Sequence, residues 1–321
     1  MLNNKGLTIK IGSRKSKLAL WQSGTVAAML NKKGLATEIV NIETLGDKIL
    51  NTPIAKIGSK GVFTEEIETM LKNGEVDIAV HSAKDMPSSL PVGFSLIAFT
   101  KREKVNDVLV SYDYCLDLDS KDAQICIGTS SVRRVSMLRH FYPHIKTVNM
   151  RGNLQTRINK MKSGACDALI LAYAGVKRMN YDHLIVHRFP ETEFVPPVGQ
   201  GSIAVEAYKS IDKNLIRKIR ASVNHVSTES ALLAERAYLK ELQGGCSIPA
   251  FALGESFGGM IRLTGGLVSL NGDIFLKETL IGEKKIASEI GKKLGKKILE
   301  AGGKKILKEI RYAQANTVNN N

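Results

Sequence analysis

Aromatic residues are scarce, 6% of the 321 positions with a single tryptophan. No apolar run approaches the ~20 residues that a membrane span requires, and the longest, around residues 168–176, fits a buried strand. Cysteine is sparse too. Cys115, Cys126, Cys166 and Cys246 are scattered, with no pair at the spacing of a zinc knuckle or a redox CxxC, so free thiols in a reducing compartment are expected. The six histidines form neither HExxH nor a cluster, and no metal held by protein ligands is expected. The amino terminus, MLNNKGLTIKIGS, lacks the basic and then apolar layout of a signal peptide, which makes the cytoplasm the expected location.

What is present suits a globular protein of two or three domains: 43% of the residues are apolar, enough to bury a sizeable core. Lys and Arg outnumber Asp and Glu by 46 to 31, a net charge of +15, which calls for an acidic partner. Ten of those cations fall between Lys284 and Arg311, where Ile286, Ile290, Leu294 and Ile298 recur every four residues and the lysines form the wet side of amphipathic helices. With so few aromatics and no nucleic-acid-binding motif, nucleic acid is not the expected partner, and neither is a membrane.

Periodicity and turn chemistry give an α/β layout. Residues 7–11 read as a strand turning at Gly12-Ser13-Arg14 into a helix, and 37–42 as a second strand. A loop at 46–61, rich in Gly and Lys and carrying Lys56 and Lys60, is long enough to be a lid. A helix at 63–72 then ends at Asn73-Gly74 before the next strand. The order recurs downstream: IKIGSRKS matches ICIGTSSV, and NGEVDIAVHS matches SGACDALILA. Either all α/β units share such caps, or two similar domains face one another across a cleft. Residues 191–201, with paired prolines and glycines, suit a linker or hinge. After them come a helix capped by Thr228, strands near 251–253, 261–268 and 274–280 with an Asn271-Gly272 hairpin, and the lysine-faced helices, which together make a small α+β unit. The asparagine-rich end from Gln314 is expected to be disordered.

The densest packet of chemistry is DIAVHSAKDMP at 77–87, where an apolar strand ends in His81, Ser82, Lys84 and Asp85. Ligands of open α/β sheets bind at such strand ends. Two strand-to-helix turns pair hydroxyls with arginines, Ser13, Arg14 and Ser16 in one and Thr129, Ser131, Arg133 and Arg134 in the other. Free helix N–H groups and guanidinium forks there suit a small polyanion, and Arg151, Arg157, Lys177 and Arg178 would join them across a cleft. Asp85 is either a counter-ion to these cations or a carboxylate that stabilises positive charge developing on a substrate. His81 reads as a satisfied core histidine. Cys246, in GGCSIP past a helix carboxyl terminus, is either idle or accessible for covalent attachment to an already activated electrophile. Gly254-Glu255-Ser256-Phe257-Gly258 spells a nucleophile elbow, but strand follows it and no histidine comes after His225, so it is read as a hairpin turn.

These motifs together, with LAYAGVKR at 171–178 and PPVGQG at 196–201, closely resemble the porphobilinogen deaminase family in order from Ile9 to Pro249. The resemblance implies two domains like periplasmic binding proteins around a cleft plus a small α+β third domain. It places domain 1 at 1–100 and 200–220, domain 2 at 101–199, domain 3 at 221–313 and a tail at 314–321. It implies a dipyrromethane cofactor on a thioether to Cys246 and porphobilinogen as the substrate; a monomer is expected, since nothing in the sequence requires more. Four units would add with loss of ammonia before hydrolysis releases hydroxymethylbilane. Asp85 would be the catalytic residue. Ser82, Lys84, Thr129, Ser131, Arg133 and Arg134 would hold the cofactor, Arg14, Ser16, Arg151, Arg157, Arg178 and Gln200 the substrate, and Lys56 and Lys60 would sit on the lid. Ser59 and Tyr173 depart from the family pattern without touching this chemistry. The alternative is a non-catalytic polyanion-binding protein of the same build, in which Cys246 has no task.

Overall fold

The computed structural model describes residues 8–44, 64–121, 124–245 and 247–319. The loop at 46–61 with Lys56 and Lys60, and Cys246 itself, lie outside these residues.

The first sheet forms from β1 (Ile9–Arg14), α1 (Lys17–Asn31), β2 (Thr37–Ile42), α2 (Glu65–Asn73), β3 (Ile78–Ser82) and β4 (Phe94–Phe99). The chain then crosses to a second sheet through β5 (Asp107–Val110), β6 (Cys126–Gly128), α3 (Val132–Phe141), β7 (Lys146–Val148), α4 (Leu154–Lys162), β8 (Ala168–Ala172), α5 (Tyr173–Arg178) and β9 (Ile185–Arg188). It returns as β10 (Ile203–Tyr208) and α6 (Lys213–Val223). The strand orders are β2-β1-β3-β10-β4 and β7-β6-β8-β5-β9. In both sheets the strand in fourth place runs antiparallel and comes from the other side of a crossing.

The internal repeat is therefore real, and identical hydrogen bonds carry it. Asp77 Oδ2 accepts the Lys10 N–H and Asp167 Oδ2 accepts the Cys126 N–H, each at 2.7 Å, so the Asp of each Gly-x-x-Asp caps the neighbouring strand. Ser16 and Ser131 are the N-caps of α1 and α3, accepting the N–H of Ala19 and Arg134 respectively, and such caps contribute about 1 kcal/mol each. Strand β1 runs to Arg14 rather than stopping at residue 11, because all six of its residues pair with β2.

The segment 191–201 is the return crossing, and it is no loose linker: Phe194, Val195 and Val198 are buried. Helix α6 extends to Val223, because Leu215, Ile219 and Val223 complete the core under the first sheet.

The third unit comprises α7 (Val226–Glu241), the antiparallel sheet β11 (Ala250–Phe257), β12 (Met260–Val268) and β13 (Phe275–Glu283), and the helices α8 (Ala287–Ile298) and α9 (Lys304–Asn319). Residues 254–257 finish β11, and the turn falls at Gly258-Gly259, so no nucleophile elbow exists there. The cap of α7 is His225, whose Nδ1 accepts the Thr228 N–H, rather than Thr228. The expected disorder from Gln314 is also corrected. Buried Ile306, Leu307 and Ile310 anchor α9, and the helix propagates to Asn319. The Asn271-Gly272 turn does more than reverse the chain. Gly272 at φ 86° lies against the end of α3, where a Cβ would meet His140 N at 2.8 Å, and its carbonyl accepts His140 Nδ1–H at 2.7 Å. Phe251 and Phe275 stack beside it, joining the third unit to the second.

Candidate active site

The end of β3 is shaped from below. Ala83 and Met86 are each 4% exposed and pack with Phe99, Ala204 and Leu232, so the 3-10 turn Ala83–Asp85 turns Lys84 and Asp85 outward. Gly199 seals the back of this turn at φ 80°. Any Cβ there would sit 2.7 Å from the Ala83 carbonyl carbon, which explains the glycine of PPVGQG. Gln22, buried in α1, donates to Ser82 Oγ at 2.8 Å and holds the strand end to the first helix. Arg14, Ser16, Gln22, His81, Ser82 and Asp85 line one cavity on this side, with Asp85 exposed in it.

Cations gather around the same turn. Lys84 is half-buried; desolvation, opposed by Asp85 and reinforced by Arg134, lowers its pKa to about 8. Arg157 from α4 is brought down to about 10 by desolvation, then by Arg134, with Asp85 opposing. Lys84, Asp85, Arg134 and Arg157 thus act on one another, although they come from both sheets. The Nε groups of Arg134 and Arg157 are buried donors without a hydrogen-bond partner. Buried donors in that state suit an anion, so this cation cluster fits the carboxylates of a dipyrromethane.

Not every expected residue faces the pocket. Arg133 bonds Asp107 and the Val195 carbonyl, and Arg134 also reaches Asp107 at 2.8 Å and the Ile170 carbonyl at 3.1 Å. Burial opposes the charge of Asp107, but the two guanidiniums outweigh it and hold its carboxyl far below the usual range. Gln200 is fully buried behind them and donates to Val105 O and Asp107 Oδ1. Arg178 donates to Gly201 O at 2.7 Å and lies over the Trp21 ring, bridging the two α/β units. Thr129 Oγ1 accepts the Ser131 N–H, so these two hydroxyls shape the turn that carries Arg134. Arg151 is half-buried just before the Asn153 cap of α4.

The loop flanking residue 246 is held from two sides, by the site and by α9. Ser88 Oγ donates to Gly244 O at 2.9 Å, joining the segment after Asp85 to the glycine loop. Gln314 of α9 donates to Ser247 O at 2.8 Å. Glu235 on α7 accepts from Arg102, the Gly199 N–H and the Gly254 N–H, fastening the return crossing to the third unit.

Two family models cover most of the chain: Porphobilinogen deaminase, dipyromethane cofactor binding domain, over residues 9–217, and Porphobilinogen deaminase, C-terminal domain, over 230–300. The chain belongs to the porphobilinogen deaminase family. A porphobilinogen deaminase of Desulfosudis oleivorans is 55% identical over 96% of this chain and 99% of its own length. One of Cytophaga hutchinsonii is 51% identical over 95% and 97%. Among solved structures, the periplasmic VFT2 domain of Bordetella pertussis BvgS matches at TM-score 0.42 and 17% identity over 68% of this chain and 88% of that one, a likeness too loose to add to the topology seen directly.

Beyond this family pattern, the motif reading missed three buried carboxylates behind the site: Asp107, Glu206 and Glu235, each 0% exposed. A signal existed for two of them. Glu206 interrupts IAVEAY and Asp107 opens DVLV, charges in runs that otherwise read as buried strand.

Proposed function

We propose that the chain is a hydroxymethylbilane synthase, condensing four porphobilinogen molecules head to tail with loss of ammonia on a dipyrromethane primer and then releasing the product by hydrolysis. One observation carries this reading beyond family membership. An exposed carboxylate, Asp85, sits on a rigid turn among cations with unpartnered buried donors, and Ser88 stitches that segment to the loop next to residue 246. A polyanion-binding protein needs the cations but not the carboxylate or the stitched cysteine loop.

In this reading Cys246 holds the primer by a thioether, and the bound dipyrromethane supplies a nucleophilic pyrrole carbon onto which each unit is built. Asp85 accepts the pyrrole N–H of the incoming ring and stabilises the positive charge that develops there as ammonia leaves. Lys84 and Arg134 take carboxylates of the primer, with Ser82, Thr129 and Ser131 setting the backbone from which they project. Arg133 serves the same site by fixing Asp107 and thereby Arg134, and Gln200 does so through its bond to Asp107. Arg14, Ser16, Arg151, Arg157 and Arg178 take carboxylates of the incoming and growing chain. Each ring adds two carboxylates, so a cleft of this charge has a purpose that pyrroles alone would not give it. Location in the cytoplasm and a monomeric state are part of the proposal; among the described residues no helix is long and apolar enough to cross a membrane.

The test is the intact mass of protein purified from cells that make porphobilinogen, together with colour formation by an aldehyde reagent for pyrroles. The expected result is a dipyrrole adduct that disappears in Cys246→Ser. Wild-type protein without the adduct sinks the enzyme reading.

A further inference from the structure

The first sheet buries a charge cluster that the scheme above leaves unused. Glu206 on β10 is 0% exposed, and neither of its oxygens has a hydrogen-bond partner. Its register opposite Ala79, with Ala204 opposite His81, puts Glu206 and His81 on one face of the sheet. His81 Nε2 lies 3.1 Å from Glu206 Oε2, an ion-pair distance without hydrogen-bond alignment. From α2, Glu68 faces the same carboxylate; desolvation first and the Glu206 charge second raise its pKa. From α7, one turn beyond Leu232, Arg236 stands outside ion-pair contact with it, its Nη1 buried and unpartnered, and the Glu206 charge offsets the desolvation of its guanidinium. The other end of Arg236 donates through Nη2 to the Pro87 carbonyl at 2.7 Å.

Asp85 therefore lies between two anchor points, four residues after His81 and two before Pro87, and both lead to one buried carboxylate. Burying a carboxylate without donors costs several kcal/mol unless charges nearby offset it. His81 at 3.1 Å and the longer-range charge of Arg236 supply that offset, and those are the residues that hold the two ends of the turn.

We propose that Glu206 is a positioning residue for the Asp85 turn, acting through His81 on the strand side and through Arg236 on the Pro87 side. This rests on the role assigned to Asp85. A shift of the turn by about 1 Å is enough to lower turnover by about 10²-fold without altering how the carboxylate-binding cations hold substrate.

The test compares holoenzyme of wild type, Glu206→Gln, Arg236→Gln, the double variant and Asp85→Ala, measuring adduct mass, thermal midpoint, kcat and KM for porphobilinogen. Glu206→Gln should carry the dipyrrole adduct and lose about 10- to 100-fold in kcat, with KM within about threefold of wild type. Arg236→Gln should behave likewise, and the double variant should be no slower than the slower single, because both act on one turn. A purely structural role would lower the midpoint and leave kcat per loaded enzyme unchanged, and that result overturns the proposal. So do single effects that multiply in the double variant. Should Glu206→Gln not fold, Arg236→Gln decides by the same readout, since it leaves the His81 pair in place. Wild-type turnover in Asp85→Ala would instead overturn the underlying reading, whereas an inert Asp85→Ala beside a fully active Glu206→Gln overturns the positioning role alone.

Discussion

The two α/β units place a buried carboxylate on the same topological strand and treat it in opposite ways. On β5 of the second sheet, Asp107 is fully buried and accepts from Arg133, Arg134 and Gln200. On β10 of the first sheet, Glu206 has one imidazole at 3.1 Å, a second carboxyl, Glu68, competing for it, and no aligned donor. One unit contains a finished ionic lock and the other a charge left short of partners beneath the turn that bears Asp85. The difference divides labour: the second unit builds a fixed anion receptor, and the first holds the group that must meet changing charge.

That comparison breaks first at Asp107. Asp107→Asn strands two buried guanidiniums, a loss of about 3–5 kcal/mol, so the thermal midpoint should fall by about 10 °C. Glu206→Gln removes no hydrogen bond and should move the midpoint by about a third as much or less. Calorimetry of both variants checks this, and equal shifts would mean that the two carboxylates do the same work.

A smaller effect sharpens the picture at Lys84, the cation next to Asp85. Its native pKa of about 8 lies below the ordinary 10.5, so between those values the folded chain has released a proton that the unfolded chain still binds. Stability from this group therefore rises with pH across that window, and below pH 8 the buried charge is a net cost. Ligand-free Lys84→Met should be more stable than wild type by about 2 kcal/mol near pH 7. The advantage should shrink as pH rises past 8 toward 10.5. Denaturant titrations at several pH values measure it, and a constant difference would show that Lys84 is not desolvated. Loading with the primer should erase the advantage, because carboxylates stabilise the ammonium.

Much of this was legible because it is local. Ser16, Ser131 and Asn153 cap helices within three residues of themselves, Gly74 closes α2 at φ 74°, and the twin Asp77 and Asp167 mark equivalent strands. The cationic turns followed from the same caps. What stayed hidden depends on contacts distant in sequence. Asp107 meets Arg133 across 26 residues, and Gly199 meets the Asp85 turn only after the chain has traversed a whole second unit. Arg133 and Gln200 face inward for that reason, although their motif suggests a direct contact with ligand. Composition misled at the carboxyl terminus, where polar residues extend a helix whose anchors lie one to two turns earlier.

The most direct measurement is the turnover of Asp85→Ala at saturating porphobilinogen, with fold verified by its thermal midpoint. The account predicts a folded protein whose product formation is reduced at least ~10³-fold, since a preorganised charge aimed at the reacting centre typically supplies a factor of that order. Product formation at the wild-type rate would contradict it.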